Sequence, residues 1–218
     1  MVANTGGPVM CLDAGSKISY PGTGTTWTDL SGNANTGTLV NGPTFNSANS
    51  GSIVFDGVND YASTPYSLSG ASAFSCSAWI KTTTVNKEIM ATYGLGNIFE
   101  FWISAGGTVS VYAYGSTLGY RDSVLSVITG NWAYCTGVYN GSGSSLDMYS
   151  NGLLNNGTLT DTIPSTLNAA LQNVVIGNLN SGSYFFNGSM GQATIYNRAL
   201  SAAEISTNFE LTRGRYGI

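Results

Sequence analysis

An all-β fold, two antiparallel sheets stacked as a jelly-roll sandwich with one short helix near the carboxy terminus, is what this sequence predicts. Three observations predict it. Short runs rich in Val, Ile, Thr, Tyr, Phe and Trp recur along the whole chain, Asn-Gly and Asp-Gly pairs punctuate them, and one stretch alone carries a strong helix-start signal. Many short strands without intervening helices pack as a sandwich rather than as a parallel sheet with crossovers. The 218 residues fit a single domain, 1–218, with short tails at 1–8 and 212–218. A chain of this length buries roughly 70% of its unfolded surface without help from a disulfide or metal.

In chain order, strands are expected at 52–55, 74–81, 98–104, 108–114, 132–139, 145–150, 174–177 and 192–196. The turn signals between and around them are Asn41-Gly42, Asp56-Gly57, Asn140-Gly141, Asn151-Gly152, Asn156-Gly157 and Asn187-Gly188. The helix follows the last strand. There Ser201-Ala202-Ala203-Glu204 reads as a capping box, with Leu200 and Ile205 in the flanking apolar positions and Ile205 and Phe209 forming a stripe. Glu204 is therefore assigned to the cap and not to chemistry.

Composition narrows function. Only 18 residues are charged, 7 basic and 11 acidic, where an average soluble domain of this length carries about 55. So few Lys and Arg argue against nucleic acid, whose phosphates need a concentrated basic field. No apolar run is long enough for a membrane-spanning helix, so no membrane insertion is expected. The chain contains no His, which removes Ser-His-Asp and Cys-His sites and the usual catalytic zinc sites. No Gly-Lys-Ser or Gly-Lys-Thr phosphate loop occurs. Cys11, Cys76 and Cys135 are an odd number and read as buried thiols.

Carboxylates remain for glycosidase chemistry, which needs two of them flanking a sugar. The four glutamates are Glu88, Glu100, Glu204 and Glu210, and none stands two residues from another acid. A pair from different strands, Glu100 with Asp147, is the best hydrolytic option, and a non-enzymatic protein is the preferred reading.

Two binding sites are expected instead. Along 98–103 the alternation puts Glu100 and Trp102 on one side and Phe99 and Phe101 on the other, while Tyr112 and Tyr114 share a face of the next strand. If these strands pair, Trp102, Tyr112 and Tyr114 form a platform for stacking sugars, with Glu100, and Asp147 and Tyr149 from a later strand, supplying hydrogen bonds. The alternative is ordinary cross-strand packing. In the carboxy-terminal tail, Arg213, Arg215 and Tyr216 are of the types favoured as interface anchors. Docking of this tail on its own sandwich is the equal alternative.

Three stretches resemble a known family. Trp27-Thr28-Asp29-Leu30-Ser31-Gly32-Asn33, Ile53-Val54-Phe55-Asp56-Gly57-Val58-Asn59-Asp60-Tyr61 and the segment from Ile195 to Ile205 resemble laminin-G-like jelly rolls of the concanavalin A-like lectin/glucanase superfamily, and Phe74-Ser75-Cys76-Ser77-Ala78-Trp79-Ile80 looks like its central strand. The resemblance runs from about Cys11 to Phe209. Several members bind calcium near the loop that here reads Asp56-Gly57-Val58-Asn59-Asp60, so Asp56, Asn59 and Asp60 are the candidate calcium ligands, although no cofactor is required. The sequence departs from the family at Gly188-Ser189-Met190-Gly191-Gln192, where related domains commonly carry two acids before the last strand.

Within the superfamily the chain looks most like stand-alone proteins of tailed phages, especially marine ones, through Cys11-Leu12-Asp13-Ala14-Gly15 and Ser19-Tyr20-Pro21-Gly22. That resemblance implies a virion-surface protein, a head decoration or fibre component in contact with other virion proteins or copies of itself, and the low-charge, aromatic-rich surface adds adhesion to neutral or weakly acidic glycans, including those of a host surface. A free lectin-like carbohydrate-binding module is the alternative, and a divergent glycoside hydrolase the second. The opening Met1-Val2-Ala3-Asn4-Thr5-Gly6-Gly7 lacks the basic and apolar parts of a signal peptide, in keeping with synthesis in a host cytoplasm and release by lysis.

Overall fold

The computed structural model describes residues 6–92, 98–169, 171–178 and 184–218. The chain runs through β1 (Met10–Asp13), β2 (Thr26–Trp27), β3 (Gly37–Val40), β4 (Thr44–Asn46), β5 (Ser52–Asp56), β6 (Tyr61–Ser63), β7 (Ala73–Lys81) and β8 (Lys87–Thr92). It continues through β9 (Phe99–Ile103), β10 (Thr108–Tyr114), β11 (Leu118–Ser126), β12 (Trp132–Asn140), β13 (Ser145–Ser150), β14 (Leu153–Leu154), β15 (Asn156–Asp161), β16 (Val174–Ile176) and β17 (Asn187–Tyr196). Helix α1 (Ala202–Thr212) and a short 3-10 turn close the chain.

These strands form two antiparallel sheets. One has eight strands in the order β14-β13-β12-β7-β17-β5-β4, with β1 also on β17; the other has nine, β15-β11-β10-β9-β8-β16-β6-β3-β2. The core lies between them. Alternation sends Phe74, Cys76, Ala78 and Ile80 of β7 inward to meet Phe99, Phe101 and Ile103 of β9 and Val109, Val111 and Ala113 of β10. The Phe74 and Phe99 rings pack edge to face across the gap at 4.9 Å. At Gly137 a methyl group would sit 3.1 Å from Val111, so glycine there lets the sheets close.

The outer face of the eight-stranded sheet is covered. Trp79, Trp132, Tyr134, Val138 and Tyr149 project from it into a second cluster with Leu200, Ile205, Phe209 and Tyr216. Ser201 caps the helix as expected: its hydroxyl accepts the Glu204 amide, and the Glu204 carboxylate accepts the Ser201 amide at 2.8 Å. The same carboxylate takes a two-pronged ion pair from Arg198 at 2.6 and 3.0 Å.

Several expectations need correction. Asn156-Gly157 is not a turn but the start of β15, and Asn187-Gly188 lies inside β17, paired with Asp56 and Phe55. In both places glycine answers a close backbone approach: an added methyl would meet the Asp122 carbonyl at 2.8 Å or the Lys81 carbonyl at 2.4 Å. Asn41-Gly42 and Asn151-Gly152 do turn, with positive φ at both residues. Of the two alternatives for residues 212–218, the structure takes docking on the chain's own sandwich. Arg215 pairs with Asp13 through two bonds of 2.8 Å, and Tyr216 is buried against Trp79 at a ring separation of 4.1 Å. Glycine makes the room, because a side chain at Gly15 would collide with the Arg215 guanidinium and one at Gly191 with the Tyr216 hydroxyl. The three cysteines are free thiols. Cys76 and Cys135 are buried, and Cys11 is half-buried with its thiol pushed up to about 11 by burial.

Candidate functional site

Among the described residues no helix lies on the outer face of the nine-stranded sheet. In β9, Phe99, Phe101 and Ile103 go to the core, which turns Glu100 and Trp102 outward. Register then assembles the rest: β10 pairs Tyr112 with Glu100 and Ser110 with Trp102, and β11 pairs Tyr120 with Tyr112 and Asp122 with Ser110. Strand spacing near 4.8 Å is the distance at which rings on neighbouring strands stack. Tyr112 and Tyr120 lie parallel at 4.5 Å, and Tyr114 continues the row at 6.1 Å from Tyr112. Trp102 meets Tyr112 edge to face at 6.2 Å, and Tyr184 closes the far side of Trp102 at 6.4 Å. Five rings, each at least partly exposed, thus form one continuous ledge.

Polar groups sit among the rings. The Tyr114 hydroxyl donates to Glu100 at 2.9 Å, and the Ser110 hydroxyl donates to Asp122. Burial and the neighbouring Glu100 carboxylate hold the Tyr114 phenol well above its usual value, and burial with Tyr120 and Asp122 beside it pushes Tyr112 up to about 12. Both phenols are hydrogen-bonding hydroxyls at any physiological pH. Glu88, opposite Trp102 on β8, is 0% exposed. Its Oε1 accepts the Phe101 amide at 3.2 Å where the β8–β9 register shifts, and its Oε2 has no partner. Burial, then Glu100, raises its carboxyl well above the ordinary carboxylate range.

The structure therefore brings together Glu100, Trp102, Tyr112 and Tyr114. It does not bring Asp147 and Tyr149 to them. Both lie on β13 in the other sheet, where Asp147 accepts from Asn156 and Tyr149 packs in the cluster beneath α1. The same separation takes Asp147 away from Glu100 as a hydrolytic partner. Glu88, Ser110, Tyr120, Asp122 and Tyr184 escaped the sequence reading. For Tyr120 and Asp122 a signal existed, since Gly115-Ser116 after 108–114 marks a hairpin whose returning strand repeats the alternation. For Tyr184, which comes from a distant segment, none did.

The candidate calcium loop is engaged with its own backbone. Asp56 accepts the amides of Val58 at 2.8 Å and Asn59 at 3.4 Å, Asp60 accepts the Asp56 amide at 3.0 Å, and Asn41 holds the Asn59 carbonyl. The Val58 amide keeps Asp56 below its usual pKa, while burial lifts Asp60. Calcium takes six to eight oxygens. Among the described residues no group of three or more His, Cys, Asp or Glu is gathered to hold a metal, and Gln192 turns its amide toward Cys11. These residues do not fit a calcium site as they stand. The expected assembly anchors are also internal in part. Arg215 and Tyr216 pack on their own sandwich, whereas Arg213 lies on the surface, bonded to Glu210 at 2.7 Å.

Clefts exist elsewhere, one of about 580 Å³ bordered by Lys81, Asn131, Trp132 and Gly217 and one of about 310 Å³ beside α1.

A laminin G-type family model described as the concanavalin A-like lectin/glucanases superfamily matches residues 56–206. A search of curated protein sequences gives no match. Among solved structures, the botulinum neurotoxin serotype G binding domain superposes with a TM-score of 0.69 at 15% identity, covering 94% of this chain and 51% of that one. The chain thus spans about half the length of that binding domain. Domain 4 of AbnA, a GH43 extracellular arabinanase from Geobacillus stearothermophilus, solved in complex with arabinotriose, gives 0.69 at 15% identity over 93% of this chain and 98% of that one. The heptameric SAP-like pentraxin from Limulus polyphemus gives 0.56 at 18% identity, covering 72% of this chain and 80% of that one.

Proposed function

The chain belongs to the concanavalin A-like lectin/glucanase superfamily, and from that premise we propose that it is a non-catalytic glycan-adhesion domain whose binding surface is the outer face of the nine-stranded sheet. The carrying observation is the ledge of Trp102, Tyr112, Tyr114, Tyr120 and Tyr184, five rings on a face that no described element covers, with hydroxyls and carboxylates between them. Pyranose rings present apolar C–H faces that stack on such rings and rims of hydroxyls that bond such groups. An open ledge favours shallow, reversible contacts, with affinities of millimolar to micromolar order. Solution of the similar arabinanase domain with an arabino-oligosaccharide supports the reading. The resemblance to tailed-phage proteins supports display on a virion surface, where many copies would add avidity to weak sites.

The test is a glycan array probed with the domain on a multivalent carrier, with and without calcium. Binding of at least one glycan class, unchanged by calcium and lost in Trp102→Ala and Tyr120→Ala, is expected. A blank array in both conditions, or binding indifferent to both substitutions, overturns the proposal.

A hydrolytic reading has one observation behind it, a carboxyl raised by burial (Glu88) near a second carboxyl (Glu100) on one face, the kind of pairing that acid and nucleophile require. Against it, a general acid has to reach the glycosidic oxygen, and Glu88 is wholly enclosed. Release of reducing sugar from a polysaccharide panel, abolished by Glu88→Gln or Glu100→Gln, would establish it instead.

A further inference from the structure

We propose that two copies of this chain pair edge to edge along β15, antiparallel and about a two-fold axis. Each sheet ends in a strand with one free side, and such an edge offers unpaired N–H and C=O groups to any strand that reaches it. The edges differ in length. Strands β2, β4 and β14 are two or three residues long, whereas β15 runs for six and, among the described residues, pairs with β11 alone. Natural edges are commonly blunted by Pro, Lys or other charges. From Leu153 to Asp161 this one carries no Pro, Lys or Arg, and its single acid is the last residue, Asp161.

The side chains around the edge are a second observation. The chain crosses from one sheet to the other at Asn155, so β14 and β15 share one rim. Asn155 ties the neighbouring strand to that rim: its carbonyl accepts the Val124 amide at 3.2 Å and its Oδ1 accepts the Leu125 amide at 3.3 Å. Val124, Leu125, Leu153, Leu154 and Leu159 are gathered there, each between 39% and 73% exposed. Together they show on the order of 500 Å² of apolar surface, toward the top of what a monomer normally leaves open. With the strand edge added, the rim approaches the roughly 800 Å² per partner of a stable pair.

A second copy is the occupant these features fit. A two-fold axis presents the same patch from both sides, so an apolar rim meets an apolar rim. The chain's net charge of −4 opposes contact between copies in general, and the rim avoids this because Asp161 is its one charged residue. Antiparallel pairing centred between Thr158 and Leu159 sets that carboxylate beside Asn156 of the second copy, away from its twin. A basic partner would find only that one carboxylate to hold it. The pairing joins two sheets into one of eighteen strands, nine from each copy, with both outer faces on the same side.

The experiment is sedimentation velocity of the full chain at concentrations from about 1 to 200 μM, a span that brackets micromolar association, with deuterium exchange at both ends of the range. A monomer–dimer equilibrium is expected, and slower exchange of the 158–161 amides at the high concentration. Leu159→Lys puts a charge on the edge, and Leu153→Lys, at the most exposed of the five positions, is a second variant that leaves the core untouched. Each should weaken the dimer by about tenfold or more, while the urea midpoint at the lowest concentration stays at the parent's. Ile18→Lys, at an exposed turn outside the rim, should leave the dimer intact. A dimer indifferent to both rim lysines, one lost equally in Ile18→Lys, or one whose 158–161 amides exchange at the monomer's rate overturns the proposal. So does a chain that is monomeric throughout, which would leave the rim to a strand of a different protein.

Discussion

Both outer faces of this sandwich are lined with aromatic rings, and among the described residues one is covered and the other is not. On the eight-stranded sheet, Trp79, Trp132, Tyr134 and Tyr149 lie under Phe209 of α1 and Tyr216 of the tail. On the nine-stranded sheet, Trp102, Tyr112, Tyr114 and Tyr120 face outward with no element across them among the described residues. Ring content does not distinguish the two. Their companions do: the covered rings are interleaved with Val138, Leu200 and Ile205, whereas the open ones are interleaved with Glu100, Ser110 and Asp122. The covered face also resolves its indole donors internally, Trp79 to the Thr212 hydroxyl at 2.9 Å and Trp132 to Asn49 at 3.1 Å. On the open face the phenol of Tyr114 is committed to a carboxylate. The covered aromatic face is mixed with aliphatics, and the open one with hydrogen-bond acceptors.

The sharpest way to break this contrast is to remove one tryptophan from each face. Trp79 is 0% exposed and stacks on Tyr216, Phe209 and Tyr134. Trp79→Ala should therefore cost about 4 kcal/mol of stability, the range of a large aromatic lost from a core. Trp102→Ala should stay within about 1 kcal/mol, as substitutions outside a packed core do, while glycan binding disappears. Urea denaturation of the two variants checks it. Equal destabilisation would mean that the open face is as structural as the covered one.

The next largest effect concerns the tail that completes the covered face. Tyr216 is sandwiched by Trp79 at 4.1 Å and Trp132 at 4.7 Å. Tyr216→Ala should cost about 3 kcal/mol by the same core argument and shift tryptophan emission to the red as both indoles gain water. A residue reserved for an assembly partner would behave differently. Its loss would leave the denaturation midpoint where it was and weaken only incorporation into a particle.

How far the sequence reached follows the same division. Strands β9, β10, β12 and β13 were legible from their β-rich runs, and on β9 and β10 period two correctly set Glu100 and Trp102 on the side opposite Phe99 and Phe101 and put Tyr112 and Tyr114 on one face. The helix start was legible to the residue because Ser201 and Glu204 act locally. Strands such as β3, β4 and β6 are three or four residues long and lie at sheet margins, where too few positions repeat for a period to show. β8 and β11 were missed because Glu88, Arg121 and Asp122 interrupt the apolar pattern, and those interruptions are what makes the open face. Which sheet a strand joins is a long-range property that its own residues do not state. Asp147 and Tyr149 alternate as a binding strand would, yet β13 pairs with β12 and its outward residues meet the helix side.

The smallest effect, and the one that separates the faces by sign, is the response of stability to pH. Glu204 on the covered side has its carboxyl lowered to about 2, first by the Arg198 guanidinium and then by the Ser201 amide and hydroxyl. A lowered carboxyl contributes stability that is present above the usual value of 4.5 and fades as pH falls through about 2. Its side chain is 41% exposed, so solvent screening keeps that acid limb shallow. Glu88 on the open side works in reverse. Its carboxyl is raised, by burial first and Glu100 second, so the folded chain retains a proton that the unfolded chain has released once the pH passes 4.5. Stability should then fall as pH rises from that point through the raised folded value, with a limiting slope of about 1.4 kcal/mol per pH unit for one proton. Glu88→Gln keeps the acceptor for the Phe101 amide and removes the titration. It should flatten this slope and leave the variant more stable than the parent at neutral pH, with no change near pH 4. Midpoints of urea unfolding measured between pH 4 and 8 decide the matter. A parent whose stability rises across that interval, or a variant with the parent's slope, would show that Glu88 is ionised in the folded chain and that its enclosed oxygen already has its counter-charge.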